Sequence, residues 1–208
     1  MNILQKIRYE FEIDKRNLKE QILIEKNNIY YIKPTDSIEK MICFLISAED
    51  HRFYYHFGFD IIAILRAIRN KLIWNKSEGA STIEQQLVRV LTNNYQRNLK
   101  RKIKEIILAY SLKKILSKRE IALIYLNIAY YGTNLQGLNK VLSKFDLHSE
   151  NEINDQICAE VVARLKYPEP SNYNIRKLDL IRKRTSHIKF LYNKHNSSKY
   201  LNYYGKYN

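Results

Sequence analysis

Residues 49–60 read Glu-Asp-His-Arg-Phe-Tyr-Tyr-His-Phe-Gly-Phe-Asp, one dense run of groups able to move protons. On a helix, Glu49, Phe53 and His56 fall at i, i+4 and i+7 and share a face, which sets a carboxylate beside an aromatic wall with an imidazole at the helix end. A carboxylate half removed from water is pushed toward a neutral pKa and can serve as a general base. The plain alternative is a solvated helix end capped by a histidine.

A second run, Gly79-Ala80-Ser81-Thr82-Ile83-Glu84-Gln85-Gln86-Leu87-Val88-Arg89, opens a helix. Ser81 with Glu84, or Thr82 with Gln85, has the spacing of a capping box. A glycine-led helix start with hydroxyls at its mouth and Arg89 two turns on is also receptive to a phosphate.

A third run, Arg101-Lys102-Ile103-Lys104-Glu105, lies in a stretch from Arg89 to Arg119 with ten basic residues (89, 97, 100, 101, 102, 104, 113, 114, 118, 119) and one acid, Glu105. Ile103, Ile106, Ile107 and Ala109 make the helix amphipathic, and Arg101 pairs with Glu105 at i, i+4. Glu105 is then a surface salt-bridge partner worth a few tenths of a kcal/mol, or roughly that. Equally, it holds a divalent cation or orients the basic groups toward a pyrophosphate.

The elements that must position these groups are mostly helices. Gly and Pro number only five and three in 208 residues, which leaves few forced helix stops. Residues 1–27 are charged and helix-compatible, and 28–32 (Asn-Ile-Tyr-Tyr-Ile) read as a short strand ended by Pro34. Asp36 or Ser37 can cap a helix bearing Ile38, Met41, Ile42 and Leu45 that runs into Glu49. Helical spacing covers 61–73, 81–91, 99–116, 118–128, 154–165 and 175–192, with a loop at 131–134. One globular domain is expected over 36–195, after a charged extension at 1–35 and before a polar, Tyr-rich tail at 196–208.

The net charge of +15 and pI near 9.6 call for a polyanionic or anionic-surface partner, without choosing among nucleic acid, acidic lipid and pyrophosphate. Cys43 and Cys158 sit in apolar runs without metal-ligand spacing and read as buried free thiols. No apolar run reaches membrane-spanning length, and the first residues lack the apolar core of an export signal before Glu10 and Glu12.

Taken together, the three runs resemble the peptidoglycan glycosyltransferases of glycosyltransferase family 51, the transglycosylase domain also found as monofunctional enzymes. The family pattern E-D-x-x-F-x-x-H-x-G is matched by Glu49, Asp50, Phe53, His56 and Gly58; G-x-S-T-x-x-Q-Q by Gly79, Ser81, Thr82, Gln85 and Gln86; and R-K-x-x-E followed by Ala by Arg101, Lys102, Glu105 and Ala109. A fourth motif survives as residues 121–127 and a fifth as 130–137.

The resemblance implies a mostly α, lysozyme-like fold with a small membrane-facing second lobe. It implies polymerisation of lipid II, or a related polyprenyl-pyrophosphate-linked sugar, into β-1,4 glycan strands with inversion and release of polyprenyl pyrophosphate. Glu49 is then the base on the acceptor hydroxyl, and Glu105 the second carboxylate, assisting the leaving pyrophosphate with a divalent cation, Mg2+ or Mn2+, as its ligand. Arg89, Arg97, Arg101 and Lys102 surround the diphosphate, and Asp50, Phe53, His56, Ser81, Thr82, Gln85 and Gln86 complete the substrate site. The partners implied are lipid II, the growing lipid-linked glycan, the membrane surface and other cell-wall synthesis proteins. The place implied is the outer face of the cytoplasmic membrane, and the basic helix with Arg176, Lys177, Arg182, Lys183 and Arg184 is a candidate hold on acidic lipid.

Five positions depart from the family pattern: Lys113 stands where the third motif has a second Glu, Ala122 where the fourth has Glu, Asn134 where the fifth has Gly, and Arg89 and Val90 where Lys and Asn are common. Two alternatives keep the phosphate groups or the fold without the reaction: a non-catalytic scaffold that binds lipid pyrophosphate, and a lysozyme-like hydrolase. The basic field argues against the hydrolase, whose neutral glycosidic substrate has no use for it. Nucleic acid is excluded as a partner, because a carboxylate at the centre of the basic motif would repel a phosphate backbone.

Overall fold

The computed structural model describes residues 3–30, 32, 35–76, 79–96, 98–147 and 152–196. They form nine α-helices: α1 (Ile3–Tyr30), α2 (Asp36–Glu49), α3 (Ile61–Trp74), α4 (Ile83–Leu91), α5 (Leu99–Leu112), α6 (Lys118–Ile128), α7 (Leu138–Leu142), α8 (Asp155–Lys166) and α9 (Ile175–Asn196). No strand occurs among the described residues, only the isolated bridges Tyr130 to Gln136 and Gly132 to Glu169. The expected mostly helical fold is what the chain adopts.

The chain divides into two compact units. The first comprises Met1–Ile32 and Phe53–Ile124, the second Lys33–Arg52 and Tyr125–Asn208. In the first, α1 and α5 both pack on α4, burying Leu18, Ile22 and Ile29 of α1, Ile83 and Leu87 of α4, and Leu108 and Leu112 of α5. In the second, α2, α8 and α9 pack on one another around Ile42, Phe44, Val161, Val162 and Ile188, with Phe44 stacked on Tyr192 at 4.0 Å. Cys43 and Cys158 are free, half-buried and buried, and burial pushes their thiols up to about 11 and about 12.

Local chemistry sets most helix starts. Asp60 accepts from the amides of Ile62 and Ala63 to open α3, Thr82 from Gln85 to open α4, and Asn98 from Arg101 to open α5; each cap is worth about 1 kcal/mol. Thr35, rather than Asp36 or Ser37, caps α2. The chain's reciprocal capping box lies at Ser117 and Glu120: the Ser117 amide donates to the Glu120 carboxylate at 2.7 Å and the Glu120 amide to the Ser117 hydroxyl at 3.2 Å. That box opens α6, and the helix expected over 99–116 stops at Leu112, with a turn over 113–115 between them.

The strand expected at 28–32 does not form over 28–30; α1 continues to Tyr30. Its β-branched and aromatic residues are a weak local preference, overridden by burial of Leu18, Ile22 and Ile29 along one helical stripe. Tyr31, Lys33 and Pro34 lie outside the described residues.

α3 has the opposite character. Leu65, Ile68, Leu72, Ile73 and Trp74 are all more than half exposed, Leu72 at 80%. No helix of the described residues is long and apolar enough to cross a membrane.

Candidate functional site

In the first unit the centre is Glu105, 3% exposed on α5. Arg89 of α4 grips it bidentately, Nε to Oε2 and Nη2 to Oε1, both at 3.1 Å. Lys102 Nζ donates to Oε1 at 2.8 Å and Arg101 Nη1 donates to Oε2. Three cations around one carboxylate leave two positive charges in excess. Burial pushes the Glu105 carboxyl up, yet the hydrogen bonds and charges of Arg89 and Lys102 outweigh it and hold it below the ordinary carboxylate value. Burial lowers the Lys102 ammonium, with Glu105 opposing and Arg89 and Arg101 assisting.

Lys102 also ties α5 to the mouth of α4, donating to Ser81 Oγ at 2.9 Å and to Gln85 Oε1. Thr82 and Gln85, 1% and 0% exposed, turn their polar groups inward: Thr82 Oγ1 and Gln85 Nε2 both donate to the Gly58 carbonyl, at 2.9 and 3.1 Å. Gln86 is half-buried in the first turn of α4. Thr82 with Gln85 is therefore the pair that caps α4, while Ser81 and Glu84 serve other partners.

The Gly58 turn can approach this closely because it lacks a side chain. At φ +81°, a Cβ on Gly58 would stand 2.6 Å from the backbone of Ala109 and Tyr110 on α5. Phe53 and His56 precede it in a 3-10 turn (Phe53–Tyr55) and a bend, with Phe53 fully buried and His56 8% exposed. The shared helical face expected for Glu49, Phe53 and His56 does not exist, because α2 ends at Glu49. Asp50, the C-cap, leaves helical geometry at φ −160° and ψ 69°.

Beside Glu105 lies a cavity of about 70 Å³ lined by Arg89, Thr92, Asn94, Arg101, Lys104 and Asp14, among others. Asp14 comes from α1 and pairs with Lys104, and Glu10 pairs with Lys100 at 3.4 Å. The basic field that looked almost unrelieved along the sequence is thus partly neutralised by a helix ninety residues away. Nothing local in the sequence signals Asp14 or Glu10; their i, i+4 spacing matches that of Lys100 and Lys104 only once α1 and α5 are known to be neighbours.

Glu105 does not fit the metal-ligand role the resemblance implied. Both its oxygens already accept from cations, and a dication placed there would meet Arg89, Arg101 and Lys102 at contact distance. The group suits orientation of guanidinium and ammonium donors toward an anion. Arg97 lies outside the described residues.

In the second unit, Glu49 ends α2 with its side chain 16% exposed, and its Oε1 accepts from Arg184 Nη2 at 2.9 Å. The same nitrogen donates to the Ala48 carbonyl at 2.9 Å. Arg184, expected on the lipid-binding face of α9, is instead turned inward, its side chain 12% exposed. Asp50, next to Glu49 in sequence, is buried.

The fifth motif is built around Gly132, whose Cβ would fall 2.5 Å from Glu169. Glu169 is fixed by Arg164 at 2.8 Å and Lys144 at 2.7 Å, and the Tyr131 hydroxyl donates to the Leu126 carbonyl at 2.8 Å. Asn134, standing where the pattern has Gly, takes φ +63°. Asn is the residue that best tolerates this left-handed conformation after Gly, so the backbone survives the replacement. Ala122 is fully buried, a place where an unpaired carboxylate would be costly.

Residues 12–191 match the Transglycosylase family. The chain belongs to that family. Among its relatives, penicillin-binding protein 1A of Rickettsia prowazekii (strain Madrid E) is 32% identical over 164 residues, 77% of this chain and 20% of that protein. Penicillin-binding protein 1A of Vibrio cholerae serotype O1 is 34% identical over 145 residues, 69% of this chain and 17% of that protein. The monofunctional glycosyltransferase of Staphylococcus epidermidis is 32% identical over 138 residues, 64% of this chain and 51% of that protein. The chain therefore spans about a fifth of the penicillin-binding proteins and half of the monofunctional relative. The transglycosylase match begins within α1, at residue 12.

Proposed function

We propose that the protein is a peptidoglycan glycosyltransferase that polymerises lipid II. The observation that carries this reading is the Glu105 cluster: a buried carboxylate holding two guanidinium groups and an ammonium in fixed positions with charge to spare. A departing diphosphate needs neutralisation of its charge, and donors already held in place supply it without reorganisation. A hydrolase of neutral glycosidic bonds would gain nothing from it.

In this mechanism the acceptor sugar hydroxyl gives its proton to Glu49 as its oxygen attacks the anomeric carbon of the lipid-linked donor. The bond from that carbon to the diphosphate oxygen breaks with inversion, and the electron pair leaves with the polyprenyl diphosphate. Arg184 fixes the Glu49 carboxylate through Oε1. Arg89, Arg101 and Lys102 receive the diphosphate charge, and Glu105, kept ionised by Arg89 and Lys102, orients them and donates no proton. Thr82 and Gln85 act by setting the Gly58 turn and Lys102.

The exposed apolar face of α3, with Arg66, Arg69 and Lys71 among its residues, is the surface that would rest on the membrane. Arg69 lies 5.5 Å from the Trp74 ring, an arrangement suited to a lipid headgroup boundary. Purified protein given lipid II in detergent is expected to form glycan strands and release polyprenyl diphosphate in equal steps. Release of sugar without strand growth would point to a hydrolase, and binding without turnover to a scaffold.

A further inference from the structure

Glu84 is not needed by the chemistry above, yet it is among the most buried charged residues of the chain, 1% exposed on α4. Its Oε1 accepts from Lys118 Nζ, while Oε2 is buried without a hydrogen-bond partner among the described residues. Lys118 Nζ also stands 4.1 Å from the Phe53 ring centroid, and His56 Nδ1 is 3.9 Å from Glu84 Oε1. Glu84, Lys118, Lys113, Phe57 and Gly58 line one cavity of about 120 Å³.

Two lysines thus face this cavity with one acid. The family pattern has a carboxylate at position 113, where this chain carries Lys113, and leaves position 84 open. Lys113 has turned to the aromatic side, hydrogen-bonded to the Tyr110 hydroxyl at 2.7 Å and 4.9 Å from the Phe57 ring centroid. Glu84 is the buried member of the pair, its side chain 2% exposed against 20% for Lys118, and a carboxylate so buried is strongly disfavoured without a cation, so the two hold one another on this wall.

We infer that Glu84 is a positioning residue: it supplies from α4 the carboxylate missing from position 113 at the end of α5, and through Lys118 it sets the start of α4 against the Phe53–Gly58 turn. The consequence passes to the neighbouring residue. Gln85 bonds the Gly58 carbonyl with its amide nitrogen and Lys102 with its amide oxygen, so a shift at the start of α4 moves one of the cations proposed to meet the diphosphate. The link to turnover rests on the function proposed above; the link to Gln85 does not.

The test compares wild type, Glu84→Gln, and Glu84→Gln combined with Lys113→Glu, which returns the carboxylate to position 113. Two quantities are read: the side-chain amide resonances of Gln85 by NMR, and the rate of lipid II polymerisation per folded molecule. Glu84→Gln is expected to shift the Gln85 resonances and to lower turnover by about ten- to a hundredfold, the scale of a slight misplacement. The double variant should restore both toward wild type. Unmoved Gln85 resonances in Glu84→Gln, or a double variant no closer to wild type than the single, would overturn the inference. Should the wild type form no polymer, the proposed reaction fails, while the Gln85 resonances still decide the role of Glu84. A variant that only melts earlier, with its Gln85 signals and turnover per folded molecule unchanged, would make Glu84 merely structural and also overturn it.

Discussion

The two carboxylates of the proposed reaction live in different surroundings. Glu105 is 3% exposed and receives four hydrogen bonds from Arg89, Arg101 and Lys102. Glu49 has a side chain 16% exposed, with Arg184 on one oxygen. The first arrangement is that of a fixed counter-charge, and a group so held has little freedom to take or give a proton. The second is a carboxylate at a helix end, more exposed than Glu105 and oriented by Arg184, a setting that suits the base proposed for the acceptor hydroxyl. The different roles proposed for the two acids thus rest on their different partners.

The contrast breaks most sharply at Glu105. Glu105→Gln should lower polymerisation by about 10²- to 10³-fold, the range for losing a fixed electrostatic element. It should also destabilise the protein by about 1–3 kcal/mol, since it leaves three half-buried cations without their acid. Retained melting temperature in Glu105→Gln would show that the cluster is not a packed structural unit. Gly132→Ala, which touches neither carboxylate, should cost roughly 2–3 kcal/mol by driving a Cβ into Glu169, measured by denaturant unfolding.

On the Glu49 side, Arg184→Gln should reduce turnover by about tenfold through loss of a charged hydrogen bond, with the lipid II KM little changed; a KM effect alone would move Arg184 to substrate binding. Acidification sharpens the comparison further. The folded-state pKa of Glu105 is depressed, so its contribution is fully present above the unfolded carboxylate value and is lost as pH falls through the lower folded value. Wild type should therefore lose stability in that acid window, and Glu105→Gln should show a flatter profile there. The smallest effect is expected outside both sites: Leu72→Asp on α3 should weaken binding to anionic vesicles by roughly tenfold, leaving the melting temperature alone because Leu72 is 80% exposed.

Much of this was legible in the order of residues because it depends on local chemistry. Helix periodicity located α3, α6, α8 and α9 to within a few residues, and the Arg101 to Glu105 pair followed from spacing alone. The end of α2 at Glu49 was not legible, since Asp50 and the aromatic residues after it do not forbid another turn. The strand expected at 28–32 failed because the burial of Leu18, Ile22 and Ile29 depends on α4, which no local window contains. Asp14, Arg184 and Glu84 were hidden for the same reason: each acquires its meaning from a partner on another helix, at Lys104, Glu49 and Lys118. Departures from the family pattern became readable only in space, Asn134 through its left-handed backbone and Lys113 through its contacts with Tyr110 and Phe57.

The central claim, that Glu49 is the base of a diphosphate-releasing glycosyl transfer, is tested most directly by polymerisation of lipid II by wild type and Glu49→Gln under identical conditions. Wild type is expected to form glycan strands, and Glu49→Gln to form none above background while melting at the wild-type temperature. Strand formation by Glu49→Gln at the wild-type rate would contradict it.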